Sequence, residues 1–132
     1  MFKIEDIMSR SIVTVKKDTN IYDAMNMMLE HKISGLPVVD DNMRLEGIIS
    51  EKDILKILVD GQVTDTQKVA DYMRSEVVSF CPQDSVVQVC EFLIQNPFRR
   101  VPILKDGILV GIVARRDIIS LILRLRSKIK KS

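Results

Sequence analysis

Residues 35–53 read GLPVVDDNMRLEGIISEKD, and residues 100–117 read RVPILKDGILVGIVARRD. Each stretch is an aliphatic run with a proline near its start, a polar turn, a second aliphatic run broken by one glycine, and a charged segment ending in aspartate. Two apolar runs of strand length joined by Asp40-Asp41-Asn42 or Lys105-Asp106-Gly107 predict a β-hairpin. Pro37 and Pro102 lack an N–H, which restricts their strands to an edge or a strand start. The charged segments open predicted helices over Glu51–Asp60 and from Arg115 to about Lys130.

The likeness extends well beyond these stretches. At an offset of 65 residues, Asp6 matches Asp71, Met8 matches Met73, Thr14 matches Ser79 and Pro37 matches Pro102. After a one-residue deletion the offset is 64, and Gly47 matches Gly111 and Asp53 matches Asp117. The period exceeds that of a solenoid element, usually about 20–50 residues. The sequence therefore predicts a whole unit occurring twice, over 1–66 (with the polar linker Gly61–Gln67) and 67–132. Each repeat begins with a short helical turn (Ile4–Met8, Val69–Met73) and a β-branched run (Ile12–Val15, Val77–Phe80). An amphipathic helix follows. Ile21, Ala24, Met25, Met28 and Leu29 form one apolar stripe, and Val86, Val89, Cys90, Leu93 and Ile94 form the other. Ser85 with Gln88 has the spacing of a capping box, Asn20 with Asp23 a weaker version, and Asn96-Pro97 ends the second helix. The predicted fold class is α/β (α+β), with two β-α-β-β-α repeats.

A repeat of about 66 residues would make a marginal core alone, so the two are expected to pack into one body. With 46% hydrophobic and 29% charged residues the composition is that of a soluble globular chain. The N-terminus lacks an apolar signal core, and no run approaches the roughly 18–20 apolar residues that span a bilayer. Cys81 and Cys90 form no C-x-x-C motif and read as packing thiols, which points to the cytoplasm. Residues 1–66 hold 8 Lys/Arg and 12 Asp/Glu, and residues 67–132 hold 12 and 6. Five of the later cations (Arg124, Arg126, Lys128, Lys130, Lys131) sit in the last nine residues. The asymmetry is thus mostly a basic tail and a weak sign of nucleic-acid binding. His31 is the single histidine and has no evident partner to polarise it. No nucleophile–base pair, metal cluster or phosphate-cradling glycine loop is visible, so an enzyme is not expected.

Taken in order, these pieces resemble a tandem pair of CBS domains, the module named after cystathionine β-synthase. The pieces are Ile4-x-Asp6-Ile7-Met8 and Val69-x-Asp71-Tyr72-Met73, Val13-Thr14-Val15, Asp23-Ala24, Gly35-Leu36-Pro37-Val38-Val39-Asp40, and the closing Gly47–Asp53 and Gly111–Asp117. The resemblance covers about residues 4–123. It implies a stand-alone pair (a Bateman module) packed through its sheets with pseudo-two-fold symmetry and two clefts between the repeats. It also implies no required cofactor, but a regulatory ligand: an adenine nucleotide (AMP, ADP or ATP) or S-adenosylmethionine. The further implications are a homodimer and a regulated protein partner.

The same resemblance assigns candidate ligand-binding residues. Asp53 and Asp117 stand where the family holds a ribose, and a carboxylate at a helix start can accept both hydroxyls of a ribose diol. Ser50 offers a hydroxyl, and Thr14, Ser79, Pro37 and Pro102 line the pockets. Arg99, Arg100 and Arg116 stand where relatives contact phosphate, and guanidinium forks suit phosphate. Their counterparts are Ser34, Gly35 and Lys52, and Ala114 lacks the hydroxyl of Ser50. The ligand at Asp53 is therefore expected to be the phosphorylated one. Ser50-x-x-Asp53 is equally the spacing of a capping box, which needs no ligand. Two other readings stand beside ligand sensing. One is a ligand-free dimerisation scaffold. The other, less favoured, is attachment to nucleic acid or membrane through the basic C-terminal helix.

Overall fold

The computed structural model describes residues 2–61 and 63–131. It is a mixed helix and strand protein of two compact units, and the units cut the chain differently from the sequence repeats. The first is Val13–Val77. The second joins residues 1–12 to 78–132. The opening segment of each repeat is thus built into the unit that carries the other repeat's hairpin.

In the first unit, α1 (Ile21–His31) begins at Asn20, whose side chain accepts the Tyr22 N–H at 2.8 Å. It ends at Lys32, which turns into the left-handed region at φ 55°. Strands β1 (Gly35–Val39) and β2 (Leu45–Ser50) form the expected antiparallel hairpin, with a bulge between Val38 and Val39. Asp40 organises its turn, accepting the N–H groups of Asn42 and Arg44 at 2.8 and 2.9 Å. Helix α2 (Glu51–Val59) follows without a gap. Ile21, Ala24, Met28, Leu36, Val38, Ile49, Ile57 and Val69 make the core. Apolar side chains at helical spacing from α1 and at alternate positions of β1 thus converge on one side of the sheet.

In the second unit the same order recurs: α3 (Val86–Gln95), β3 (Arg100–Lys105), β4 (Ile108–Ala114) and α4 (Arg115–Lys131). Its hairpin has the equivalent bulge, between Ile103 and Leu104. The turn residues Asp106 and Gly107 both have positive φ, as a two-residue type I′ turn requires. Its core is Ile4, Val89, Leu93, Val101, Ile103 and Val113. Along α4, Leu121 is buried and Leu125 half-buried, while Ile122, Ile129 and the basic side chains Arg124, Arg126, Lys128 and Lys130 are exposed.

The β-branched runs expected as strands over 12–15 and 77–80 reduce to single parallel bridges, Val15 to Val38 and Phe80 to Ile103. Proline explains this. Val15 donates to the Pro37 carbonyl at 3.1 Å and accepts from Val39 at 2.9 Å, but Pro37 has no N–H to extend the ladder.

The exchanged segments occupy the other edge of each hairpin. After the short 3-10 turn Val69–Asp71, Arg74 pairs with Ile48 through two hydrogen bonds of 2.8 and 2.9 Å. After the turn Ile4–Asp6, Ser9 pairs with Ile112 in the same way, at 2.8 and 2.9 Å. The glycines in β2 and β4 sit under these crossings. A Cβ on Gly47 would lie 2.5 Å from the Arg74 carbonyl oxygen, and one on Gly111 would lie 2.5 Å from Met8 Sδ. At both glycines the close neighbour is thus the protein's own chain.

Candidate functional site

In the first unit the site is built at the junction of β2 and α2. Ser50 is extended and Asp53 is the third residue of the helix, so its carboxylate folds back over the helix start. Asp53 Oδ2 accepts the Ser50 N–H at 2.9 Å and the Ser50 Oγ–H at 2.8 Å. At 3% exposure Asp53 is the one charged side chain buried among the described residues. A charge so withdrawn from water needs compensation. Arg74 supplies part of it, with Nε 3.6 Å from Oδ2, while its own side chain remains 46% exposed. The junction is also tied to the loop before β1, where the Ser34 carbonyl accepts the Glu51 N–H at 2.9 Å. Thr14 is half-buried beside Val15 and therefore next to Pro37 on β1.

In the second unit the junction of β4 and α4 is plainer. Asp117 Oδ2 accepts the Ala114 N–H at 2.7 Å. Ala114 has no hydroxyl to add a second bond, and Asp117 is only half-buried. The Arg99 carbonyl accepts the Arg115 N–H, and the Phe98 carbonyl accepts from the Arg115 guanidinium, both at 3.1 Å. The stretch before β3 is thereby held against the start of α4. Phe98 stacks on Phe92, with ring centroids 5.8 Å apart and planes 5° from parallel.

That arrangement gathers Arg99, Arg100, Arg116 and Asp117. Burial pushes the Arg100 guanidinium below the ordinary arginine range. Arg116 pushes the same way, Asp117 opposes it, and Arg99 adds a smaller push down. Arg100 Nε is sealed from solvent and has no hydrogen-bond partner. An arginine stays protonated under such shifts, so this is a charged donor held without an acceptor. Ser79 is exposed beside Phe80, whose N–H donates to the Pro102 carbonyl at 3.2 Å.

The structure therefore brings together Ser50 with Asp53, Thr14 with Pro37, Ser79 with Pro102, and the three arginines with Asp117. Sequence reasoning missed Arg74. Its counterpart in the repeat is Ser9, so it belongs to no matched pair, and it reaches Asp53 only because the opening segment of the second repeat docks on β2. The mismatch itself, a cation where the repeat has serine, was the available signal. Cys81 and Cys90 are both free. Among the described residues no helix is long and apolar enough to cross a membrane. No group of three or more His, Cys, Asp or Glu residues among them could hold a metal ion.

Comparison with known proteins agrees with this organisation. The CBS domain model matches residues 4–60 and again 69–124. The CBS domain-containing protein YhcV of Bacillus subtilis is 32% identical over 119 residues, 89% of this chain and 84% of that protein. The chain spans only 23–52% of three other curated relatives it matches. Among solved structures, CBSX2 of Arabidopsis thaliana in complex with AMP superposes with a TM-score of 0.86 at 27% identity, covering 96% of this chain and 99% of that one. The CBS domain pair of the protein MJ0100, in complex with 5-methylthioadenosine and S-adenosyl-L-methionine, gives a TM-score of 0.79 at 28% identity, covering 92% and 96%. The chain belongs to the CBS-domain family and carries that domain twice in tandem, as a Bateman module.

Proposed function

We propose that this module is a regulatory sensor of an adenine nucleotide: within the first unit Asp53 and Ser50 are its ribose acceptors, and within the second unit Arg99, Arg100 and Arg116 are its phosphate donors. The observation that carries the reading is the arginine cluster. The Arg100 guanidinium feels the charges of Arg116, Asp117 and Arg99, and its Nε is buried without an acceptor. Like charges held this way raise the free energy of the empty state, and a phosphate would supply both the counter-charge and the missing acceptor. The Asp117 side, with its single backbone hydrogen bond and no hydroxyl at Ala114, is the weaker ribose acceptor. The AMP complex of CBSX2 is in line with this choice. The S-adenosyl-L-methionine complex of MJ0100 keeps that cationic ligand as the competitor to exclude.

Ligand acts by its differential affinity for two states of the module, and the signal passes to a protein partner. The free thiols fit a cytoplasmic location. The test is a thermal-shift panel of AMP, ADP, ATP, S-adenosylmethionine and NADH. A ligand at about 100 times its Kd adds about 2.7 kcal/mol to stability. A shift with the phosphorylated adenosines and none with S-adenosylmethionine is expected. The reverse would overturn the choice of ligand, and no shift with any of them would favour the scaffold reading.

The module is also proposed to be a homodimer. Leu55, Leu58 and Val59 on α2 are exposed, and so are Ile119, Ile122 and Leu123 at the matching positions of α4. The same stripe on both units suits a second copy, since an isologous interface needs self-complementary apolar surface. Leu58→Glu combined with Ile122→Glu is expected to convert a dimer to a monomer in light scattering. A dimer that survives both changes would place the interface elsewhere.

A further inference from the structure

The distal half of α4 has no counterpart in the first unit. At the offset of 64, Val59, the last residue of α2, matches Leu123, yet α4 continues to Lys131. The added residues 124–131 make about two turns, roughly 12 Å of helix. The core of the unit does not use them. Helix α4 packs through Ile118 and Leu121, Leu125 is half-buried, and every side chain from Arg126 to Lys130 is exposed. Arg124 is exposed as well. The stretch after Asp117 holds no acid. No ion pair among the described residues involves Arg124, Arg126, Lys128 or Lys130.

These cations form two rows. Arg124 with Lys128, and Arg126 with Lys130, are spaced i,i+4, so each pair lies on one flank of the helix. At about 100° per residue the two rows stand about 160° apart. Ser127 lies between them, on the side away from Leu125. Like charges at this spacing destabilise a helix. One cation in the last turn would complement the helix dipole, but two rows exceed that need. Phosphates along both flanks would remove the repulsion.

We infer that the distal half of α4 is a docking surface for duplex DNA, seated in the major groove with one row of cations toward each phosphate backbone. That groove is about 12 Å wide and admits an α-helix between its two strands. The contacts are to phosphate, so they carry no base sequence. Other polyanions fit these side chains less well. Single strands are held on aromatic stacking platforms, and α4 has no aromatic residue. The major groove of double-stranded RNA is too deep and narrow for side chains to enter. A lipid surface would take the apolar side of the helix, where Leu121 and Leu125 already pack on their own unit. The surface shares no residue with the ligand site proposed above, so each stands or falls by its own test.

The experiment is fluorescence anisotropy of a labelled DNA duplex of about 20 base pairs, titrated with the full chain at several salt concentrations. Three variants accompany the wild type. One carries Arg124→Gln, Arg126→Gln, Lys128→Gln and Lys130→Gln together, one carries only Lys128→Gln and Lys130→Gln, and one keeps the charge with Arg124→Lys and Arg126→Lys. Glutamine retains the helix propensity, and a melting curve checks that each variant folds. With four phosphates engaged, the wild type should lose about 100-fold in affinity between about 50 and 200 mM salt. The slope of log affinity against log salt should fall by about half in the double glutamine variant and stay the same in the lysine variant. The fourfold variant should not bind at about 50 mM salt. A fourfold variant that binds like the wild type would overturn the inference, as would a wild type that leaves the duplex free at that salt. Tighter binding to a single strand of the same sequence, or to vesicles of phosphatidylglycerol and phosphatidylcholine, than to the duplex would overturn it as well.

Discussion

Replacing Gly47 by alanine is expected to destabilise the first unit by about 3 kcal/mol, at the upper end of what overpacking a tight contact costs. The matching change, Gly111→Ala, should cost about 1 kcal/mol. Both new methyl groups would arrive 2.5 Å from a heavy atom, so distance alone does not separate them. What they meet does. At Gly47 the obstacle is the Arg74 carbonyl oxygen, with its carbonyl carbon 3.3 Å away. That oxygen is already engaged by the Ile48 N–H at 2.9 Å, so it cannot move without opening the bridge that holds the second repeat's opening segment on β2. At Gly111 the nearest atoms are Sδ and Cγ of Met8, the far end of an unbranched side chain that can change rotamer. For a domain of this size the Gly47 variant should melt roughly 10 °C lower, and the Gly111 variant a few degrees lower. Met8→Ala combined with Gly111→Ala should recover part of the smaller loss. Equal melting temperatures for the two single variants would mean that the segment crossing β2 is not held as described.

These crossings also show where the sequence stopped being informative. Hairpins, helices and their order were legible because they depend on local pattern: apolar runs of strand length, a stripe at helical period, and Asp106-Gly107 where positive φ is needed. Which hairpin each opening segment joins is not a local property. Ile4 and Val69 are equally apolar, and Gly47 and Gly111 are the same residue, so pairing within a repeat and pairing across repeats read identically. Only a chain contact separated by more than 25 residues, such as Arg74 with Ile48, distinguishes them. The leading strands are shorter than their composition predicts for a related reason. Their β-branched residues fit a strand, but ladder length depends on the partner, and the partner is a proline. Within the site, Ser50 and Asp53 could be named from spacing, whereas Arg74 could not. Its reach to Asp53 exists only after the second repeat's opening segment has docked on β2.

Asp53 should be the most consequential side chain of the site, and its two roles can be separated. Asp53→Ala removes the acceptor of the Ser50 N–H and hydroxyl and the counter-charge of Arg74 at a position 3% exposed. Leaving such donors unmatched costs about 1–3 kcal/mol. Asp117→Ala removes the bond from the Ala114 N–H, at a half-buried position, and should cost about 1 kcal/mol or less. Asp53→Asn is the decisive variant. The asparagine carbonyl can still accept the Ser50 N–H, so most of the stability should remain, but the charge that a ribose diol would donate to is gone. A bond to a charged acceptor contributes roughly 1.5–3 kcal/mol, so losing two such donors would weaken nucleotide binding by 100-fold or more. The thermal shift produced by AMP should therefore disappear in Asp53→Asn and persist in Asp117→Asn. If Asp53→Asn melts near the wild type and still responds fully to AMP, the carboxylate is a helix cap and nothing more. Ligand recognition would then have to be sought at the arginine cluster and Asp117.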